Sequence, residues 1–143
     1  MNYLIDFHGV IDAYPEKIKN LMISLFNNPN DNVYICTGES RDDVIVKIEE
    51  LDFTKIDEHG FRIRLYKDII SISDILERRL HPDEIEYDFN GNMWVDDSIW
   101  WKMKGEICKK YNIDVMIDDS EEYFAHVPKN VLKLHVKSFK DWK

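Results

Sequence analysis

A chain of 143 residues with 44% hydrophobic content is the size of one domain and can bury a real core. Its net charge of −9 disfavours broad electrostatic binding to nucleic acid, and it has no apolar run long enough to span a bilayer. It opens on strand-like sequence with no charged leader or cleavage site, so no secretory signal is expected and a cytoplasmic location is. Cys36 and Cys108 fall inside apolar stretches and read as core thiols of a reducing compartment; neither has metal-type spacing.

The first element is a strand, Tyr3-Leu4-Ile5, which runs into Asp6 and then a turn, Phe7-His8-Gly9-Val10. Pro15 suits the first turn of a helix whose stripe is Ile18, Leu21, Met22, Leu25 and Phe26. Asn27-Asn28-Pro29-Asn30 ends it, and Val33-Tyr34-Ile35-Cys36 reads as a buried strand leading to Thr37-Gly38. Ser40 can cap a second helix with Val44, Ile45, Ile48 and Leu51 on its apolar face. Phe61 to Leu65 alternates as a strand with one polar face, and Ser71 or Ser73 precedes a short helix bearing Ile72, Ile75, Leu76 and Leu80.

Residues 81–97 are acidic and irregular, with Asn90-Gly91 as a tight turn. Asp97-Ser98 can cap a helix running to about Tyr111, its apolar side carrying Trp100, Trp101, Met103, Ile107 and Cys108. Val115-Met116-Ile117 is a strand ending at Asp118-Asp119, and Val131 to Val136 alternates as the last strand. The alternation of strands and helices predicts an α/β domain spanning 1–143, with a mostly parallel sheet covered on both faces. Residues 67–101 read as a small insertion near the functional edge.

Charge is unevenly spread. Arg62, Arg64, Lys67, Arg78 and Arg79 outnumber the acids of residues 61–80, while 81–100 hold six carboxylates and no lysine or arginine; the end of the chain is lysine-rich. A local basic surface can meet a phosphate, although an ordinary solvated face has the same composition.

Carboxylates at the carboxyl ends of strands stand where open α/β sheets bind ligands. Asp6-Phe7-His8-Gly9-Val10 resembles the first motif of the haloacid dehalogenase (HAD) superfamily, Asp-x-Asp-Gly-Thr/Val, with His8 in place of the second aspartate. Three further features follow in the family's order. Thr37-Gly38 closes the second strand like the second motif; Lys104 stands where the third-motif lysine is expected, with Lys102 as its neighbouring alternative; Asp118-Asp119 resembles the fourth, metal-holding motif.

The resemblance implies a three-layer Rossmann-like (HAD-like) fold and a magnesium-dependent phosphomonoester hydrolase. Asp6 would be the nucleophile, forming an aspartyl-phosphate. Thr37, Gly38 and Lys104 would bind the phosphate. Asp6, the carbonyl of His8, Asp118 and Asp119 would hold Mg2+, an ion that takes a few oxygen ligands and keeps waters. Glu122 is a weaker outer candidate. His8 would act as general acid and base, since imidazole titrates near neutrality.

Too little sequence follows either motif for a full cap domain. An exposed site would admit a large substrate, such as a protein phosphate or a nucleic-acid end, whereas residues 67–101 folded over it would select a small one; the partner expected is a phosphorylated substrate, a small molecule or nucleotide ahead of a protein. Trp94, Trp100 and Trp101 would fold over it or, more simply, fill the core. The alternative function is a catalytically weak HAD-like domain that binds a phosphorylated ligand or partner. A receiver-like signalling domain is disfavoured by the His-Gly-Val that follows Asp6 and by the late position of the acidic pair. Asp96-Asp97 echoes Asp118-Asp119 but lacks a well-placed upstream lysine, and reads as a helix cap or substrate-side loop.

Overall fold

The computed structural model of the protein describes residues 1–137; residues 138–143, which include Lys140 and Lys143 of the lysine-rich end, lie outside the described residues. In chain order the first elements are β1 (Asn2–Asp6), α1 (Pro15–Phe26), β2 (Asn32–Thr37), α2 (Arg41–Leu51), a hairpin of β3 (Thr54–Ile56) and β4 (Arg62–Arg64), β5 (Asp68–Ser71) and α3 (Ile72–Arg79). There follow a second hairpin, β6 (Glu86–Tyr87) and β7 (Met93–Trp94), then α4 (Asp97–Trp100), α5 (Met103–Lys110), β8 (Val115–Asp118) and β9 (Leu132–His135).

Five of these strands form one all-parallel sheet in the order β5-β2-β1-β8-β9. The order turns back at β1, where the chain leaves by β2 on one side and returns by β8 on the other. An open α/β sheet has its ligand crevice at such a reversal, outside the carboxyl ends of the strands. The fold is thus mixed α/β and compatible with a Rossmann-like arrangement.

Both faces of the sheet are covered, as a parallel sheet requires. Successive side chains of a strand point to opposite faces. Ile5, Val33 and Ile35 accordingly pack with Ile18 and Met22 of α1 and Val44 and Ile48 of α2. Leu4, Tyr34 and Cys36 pack on the other side with Leu76 of α3 and Ile107 of α5. Cys36 and Cys108 are buried free thiols. Burial pushes the Cys36 thiol up to about 12, so it stays protonated.

Caps fix the helix starts. The Ser40 hydroxyl accepts from the Asp43 amide at 3.2 Å, and Ser71 accepts from the Asp74 amide at 3.1 Å. The Ser71 hydroxyl also donates to the Glu39 carbonyl at 2.5 Å, tying the loop after β2 to the end of β5.

Three boundaries differ from the expected ones. Residues 68–71, expected inside an insertion, form the edge strand β5. With Ile69 and Ile70 as its only strongly apolar residues, the segment is too short to carry a periodic signal, and pairing with β2 makes it a strand. The extra segment is therefore confined to the stretch after α3 that carries the β6–β7 hairpin. The helix expected from Asp97 to Tyr111 is broken at Trp101-Lys102 into α4 and α5. Its cap is Asp96, whose carboxylate accepts from the Ser98 amide at 2.8 Å. The strand expected over 61–65 is Arg62–Arg64, and it pairs antiparallel with the unforeseen Thr54–Ile56, outside the main sheet.

Among the described residues, no helix is long and apolar enough to cross a membrane.

Candidate active site

Parallel pairing puts the carboxyl ends of β1, β2 and β8 at one edge. Asp6 is the last residue of β1, Thr37 of β2 and Asp118 of β8, and Asp6 lies in register with Cys36, the residue before Thr37. All three side chains are buried. Lys104, in the first turn of α5, reaches them from the helical layer.

Lys104 is 2% exposed, and its ammonium donates to Asp6 Oδ1 at 3.0 Å and to Asp118 Oδ2. Burial works against the charge on Lys104, but Asp6 and Asp118 outweigh it and hold the lysine protonated beyond the usual range. Lys102, the expected alternative, is exposed at the N-terminus of α5 and takes no part. Lys104 is therefore the lysine of this site.

Asp119 completes the acidic group. One carboxylate oxygen from each of Asp6, Asp118 and Asp119 lies within 4.8 Å of the others. Its approach depends on Gly9, whose φ of 82° and missing Cβ leave room for the Asp119 carboxylate. The turn carrying Gly9 is itself tied by Asp12, which accepts from the Gly9 amide at 2.7 Å.

Three carboxylates face one ammonium, which leaves two negative charges uncompensated when all are ionised. Burial pushes the Asp6 carboxyl up to about 8, with Lys104 pulling it down and Asp118 adding to the rise. Burial raises Asp118 as well, again against the pull of Lys104. Such a set needs a cation or a bound proton. Clustered hard oxygen donors with excess negative charge suit a divalent ion such as Mg2+.

Thr37 is fully buried, and its hydroxyl oxygen accepts from the Glu39 amide at 3.0 Å, leaving its own proton free to donate. Gly38 lies against the Trp100 indole, where a Cβ would come within 3.0 Å of the ring.

The His8 imidazole is engaged by two other carboxylates. Nδ1 lies 3.2 Å from Asp12 Oδ2, and Nε2 lies 3.0 Å from Glu39 Oε2 in a charge contact without hydrogen-bond alignment. Burial works to raise Glu39, but the Lys47 ammonium bonded to it and the adjacent His8 ring hold its carboxyl below the usual range. Of the four residues expected to hold a metal, the structure groups the side chains of Asp6, Asp118 and Asp119; the His8 side chain belongs to a neighbouring network. Glu122 is exposed, and Asp96 and Asp97 are exposed at the start of α4.

A cleft of about 360 Å³ opens beside His8 and Gly38. Its walls come from the loop after β2, from α3, from the β6–β7 hairpin and from Trp100. Its acidic and imidazole lining is His8, Glu39, Asp43 and Glu77, with no lysine or arginine. The Tyr87 hydroxyl donates to Glu77 at 2.6 Å and ties the hairpin to α3. Trp100 is thus a cleft wall, whereas Trp94 is 61% exposed on the hairpin.

Two residues were not legible as site residues. Tyr123 places its ring under the Lys104 ammonium, with Nζ 3.9 Å from the centroid, and Glu39 engages His8. Tyr123 reads in sequence as an apolar position of a helix after Asp119; its place five residues beyond Asp118 was the only available signal. Comparison with protein-family models, curated proteins and solved structures returned no match.

Proposed function

We propose that this protein is a HAD-like, magnesium-dependent phosphomonoester hydrolase acting through an aspartyl-phosphate on Asp6. The observation that carries the reading is the convergence of Asp6, Lys104 and Asp118 at adjacent strand ends, buried and in direct contact. Asp6, Asp118 and Asp119 would hold the Mg2+, which supplies charge neutralisation between the carboxylates and the incoming phosphate.

In the first step an Asp6 carboxylate oxygen attacks phosphorus in line with the leaving alcohol. The P–O bond to the alcohol breaks, and the alcohol oxygen takes a proton. Lys104 bonds Asp6 Oδ1, so Oδ2 is the oxygen left for attack. Lys104 and the Thr37 hydroxyl, with backbone N–H groups around Gly38, offset charge on the phosphoryl oxygens. In the second step water attacks phosphorus, the Asp6–phosphate bond breaks, and inorganic phosphate leaves.

His8 is the proton donor and acceptor nearest the leaving-group side, since it lines the cleft. Its imidazole is held between the carboxylates of Asp12 and Glu39. The same contacts support a second reading. If the imidazole stays bound to them, the domain binds phosphorylated ligands and turns them over poorly.

Substrate class follows from the cleft. About 360 Å³ fits a small alcohol, and a lining of three carboxylates and one imidazole, with no lysine or arginine, disfavours leaving groups with further phosphates. The proposed substrate is a small phosphomonoester with an uncharged or cationic alcohol. Two buried unpaired thiols suit a reducing, cytoplasmic setting.

Phosphate release from a panel of phosphomonoesters, with Mg2+ and with a chelator, tests the reading. Metal-dependent turnover abolished by Asp6→Asn is expected. Turnover that survives Asp6→Asn would overturn the mechanism. Binding of phosphomonoesters without release would favour the second reading.

A further inference from the structure

We infer that Tyr123 is a positioning residue that holds the Lys104 ammonium in line between Asp6 and Asp118. The ammonium has three N–H donors and no acceptor. Asp6 and Asp118 take two of them. The Tyr123 ring stands 3.9 Å from Nζ and offers its negative face to the charge. A flexible four-carbon stem would otherwise leave the ammonium free to swing to one carboxylate and abandon the other. The ring closes that route without competing as a hydrogen-bond acceptor.

The ring is itself fixed. The Trp100 indole N–H donates to the Tyr123 hydroxyl at 2.8 Å, and the Trp101 ring packs against it at a centroid distance of 4.8 Å and an interplanar angle of 65°. Burial pushes the Tyr123 hydroxyl up to about 12, so it stays a neutral phenol beside the lysine. The backbone also contributes. Tyr123 lies in the turn Glu121–His126, and Gly105, next to Lys104, lets that turn press onto α5: a Cβ at Gly105 would overlap the His126 carbonyl. The break between α4 and α5 turns Trp100 and Trp101 toward the same ring. Lys104, Gly105, Trp100 and Tyr123 thus form one device, whose output is the direction of a single ammonium.

The kinetic arm of the test rests on the phosphatase reading; the spectroscopic arm does not. Tyr123→Phe keeps the ring face, while Tyr123→Leu and Tyr123→Met keep apolar bulk without it. In the full chain, the ring current over Lys104 is expected to move its ε-methylene proton resonances upfield, in the parent and in Tyr123→Phe only. With Mg2+ and p-nitrophenyl phosphate, Tyr123→Phe is expected within about three-fold of the parent kcat. The Leu and Met variants are expected to lose ten-fold or more in kcat with KM nearly unchanged, and circular dichroism identifies which of them is folded. A folded Leu or Met variant with parental kcat overturns the inference, as does a parent without the upfield shift. A parent that shows the shift but no turnover leaves the inference standing and removes the phosphatase reading.

Discussion

Gly9 and Asp119 fill one another's space: a Cβ on Gly9 would overlap Oδ2 of Asp119, so any larger residue at that position of the first turn would displace the carboxylate that follows β8. Gly9 also has a φ of 82°, which costs an L-residue with a Cβ about 1–2 kcal/mol. Gly9→Ala is therefore expected to lower stability by about 2 kcal/mol or more, since a clash adds to the strain. Asp119→Ala should relieve the clash, so the double variant is expected to lose less than the sum of the singles. Urea denaturation of all four proteins measures the coupling. Strict additivity would show that the contact is not what constrains position 9.

Asp6 predicts an unusual pH response. Its carboxyl is raised to about 8 in the fold, against about 4 in an unfolded chain. The folded state then binds its proton more tightly, so this group makes stability fall as pH rises from about 4 to about 8. Thermal unfolding in chelator should show that decline, and Asp6→Asn should flatten it. Mg2+ should stabilise the protein more at pH 8 than at pH 6, because the ion competes with that proton. An equal Mg2+ effect at both values would argue against Asp6 as a ligand.

Lys104 and Lys102 separate cleanly. Removing the Lys104 ammonium leaves Asp6 and Asp118 buried against each other, a change that typically costs about 3–5 kcal/mol. Lys104→Met is expected to lose that much stability in chelator and to lose turnover. Lys102→Ala, at an exposed position, should change stability by no more than about 0.5 kcal/mol and leave kcat intact. Reversed results would move the site lysine.

His8 is tested by what surrounds it. His8→Ala is expected to reduce kcat by about 10²-fold or more, the range of a lost general acid, and His8→Asp to restore part of it. Glu39→Gln removes one of the two carboxylates that hold the imidazole, so kcat should change while the fold is kept. If His8→Ala and His8→Asp both match the parent across pH, the imidazole carries no proton.

The cleft predicts selectivity by charge. An amino-alcohol phosphate should have a higher kcat/KM than a nucleotide bearing a second phosphate. Glu77→Lys should narrow or invert that preference, by about ten-fold, because it reverses one wall charge. Insensitivity to Glu77→Lys would place the alcohol elsewhere.

The chain's own pattern was enough for much of the fold. Apolar runs at Tyr3–Ile5, Val33–Cys36 and Val115–Ile117 each end in a polar residue. A run that short and that apolar, bounded by turn residues, reads as a strand covered on both sides, so Asp6, Thr37 and Asp118 could be placed at one sheet edge. The edge strand at Asp68 was not legible, because four residues give no period and only pairing with β2 makes them a strand. The break at Trp101 was hidden for a related reason: a helical stripe does not register a change of axis.

Sequence by itself thus determined the alternating α/β order and the carboxylates, threonine and candidate lysines at the site, because strand ends and their residue types are local properties. Tertiary structure decided which lysine is buried, that Gly9 yields its space to Asp119, that His8 turns to Asp12 and Glu39, and that Tyr123 lies under Lys104. Apart from the His8–Asp12 contact, which is local, these depend on the approach of segments some 14–110 residues apart, and no periodicity along a chain encodes the direction in which a buried charge finds its partner.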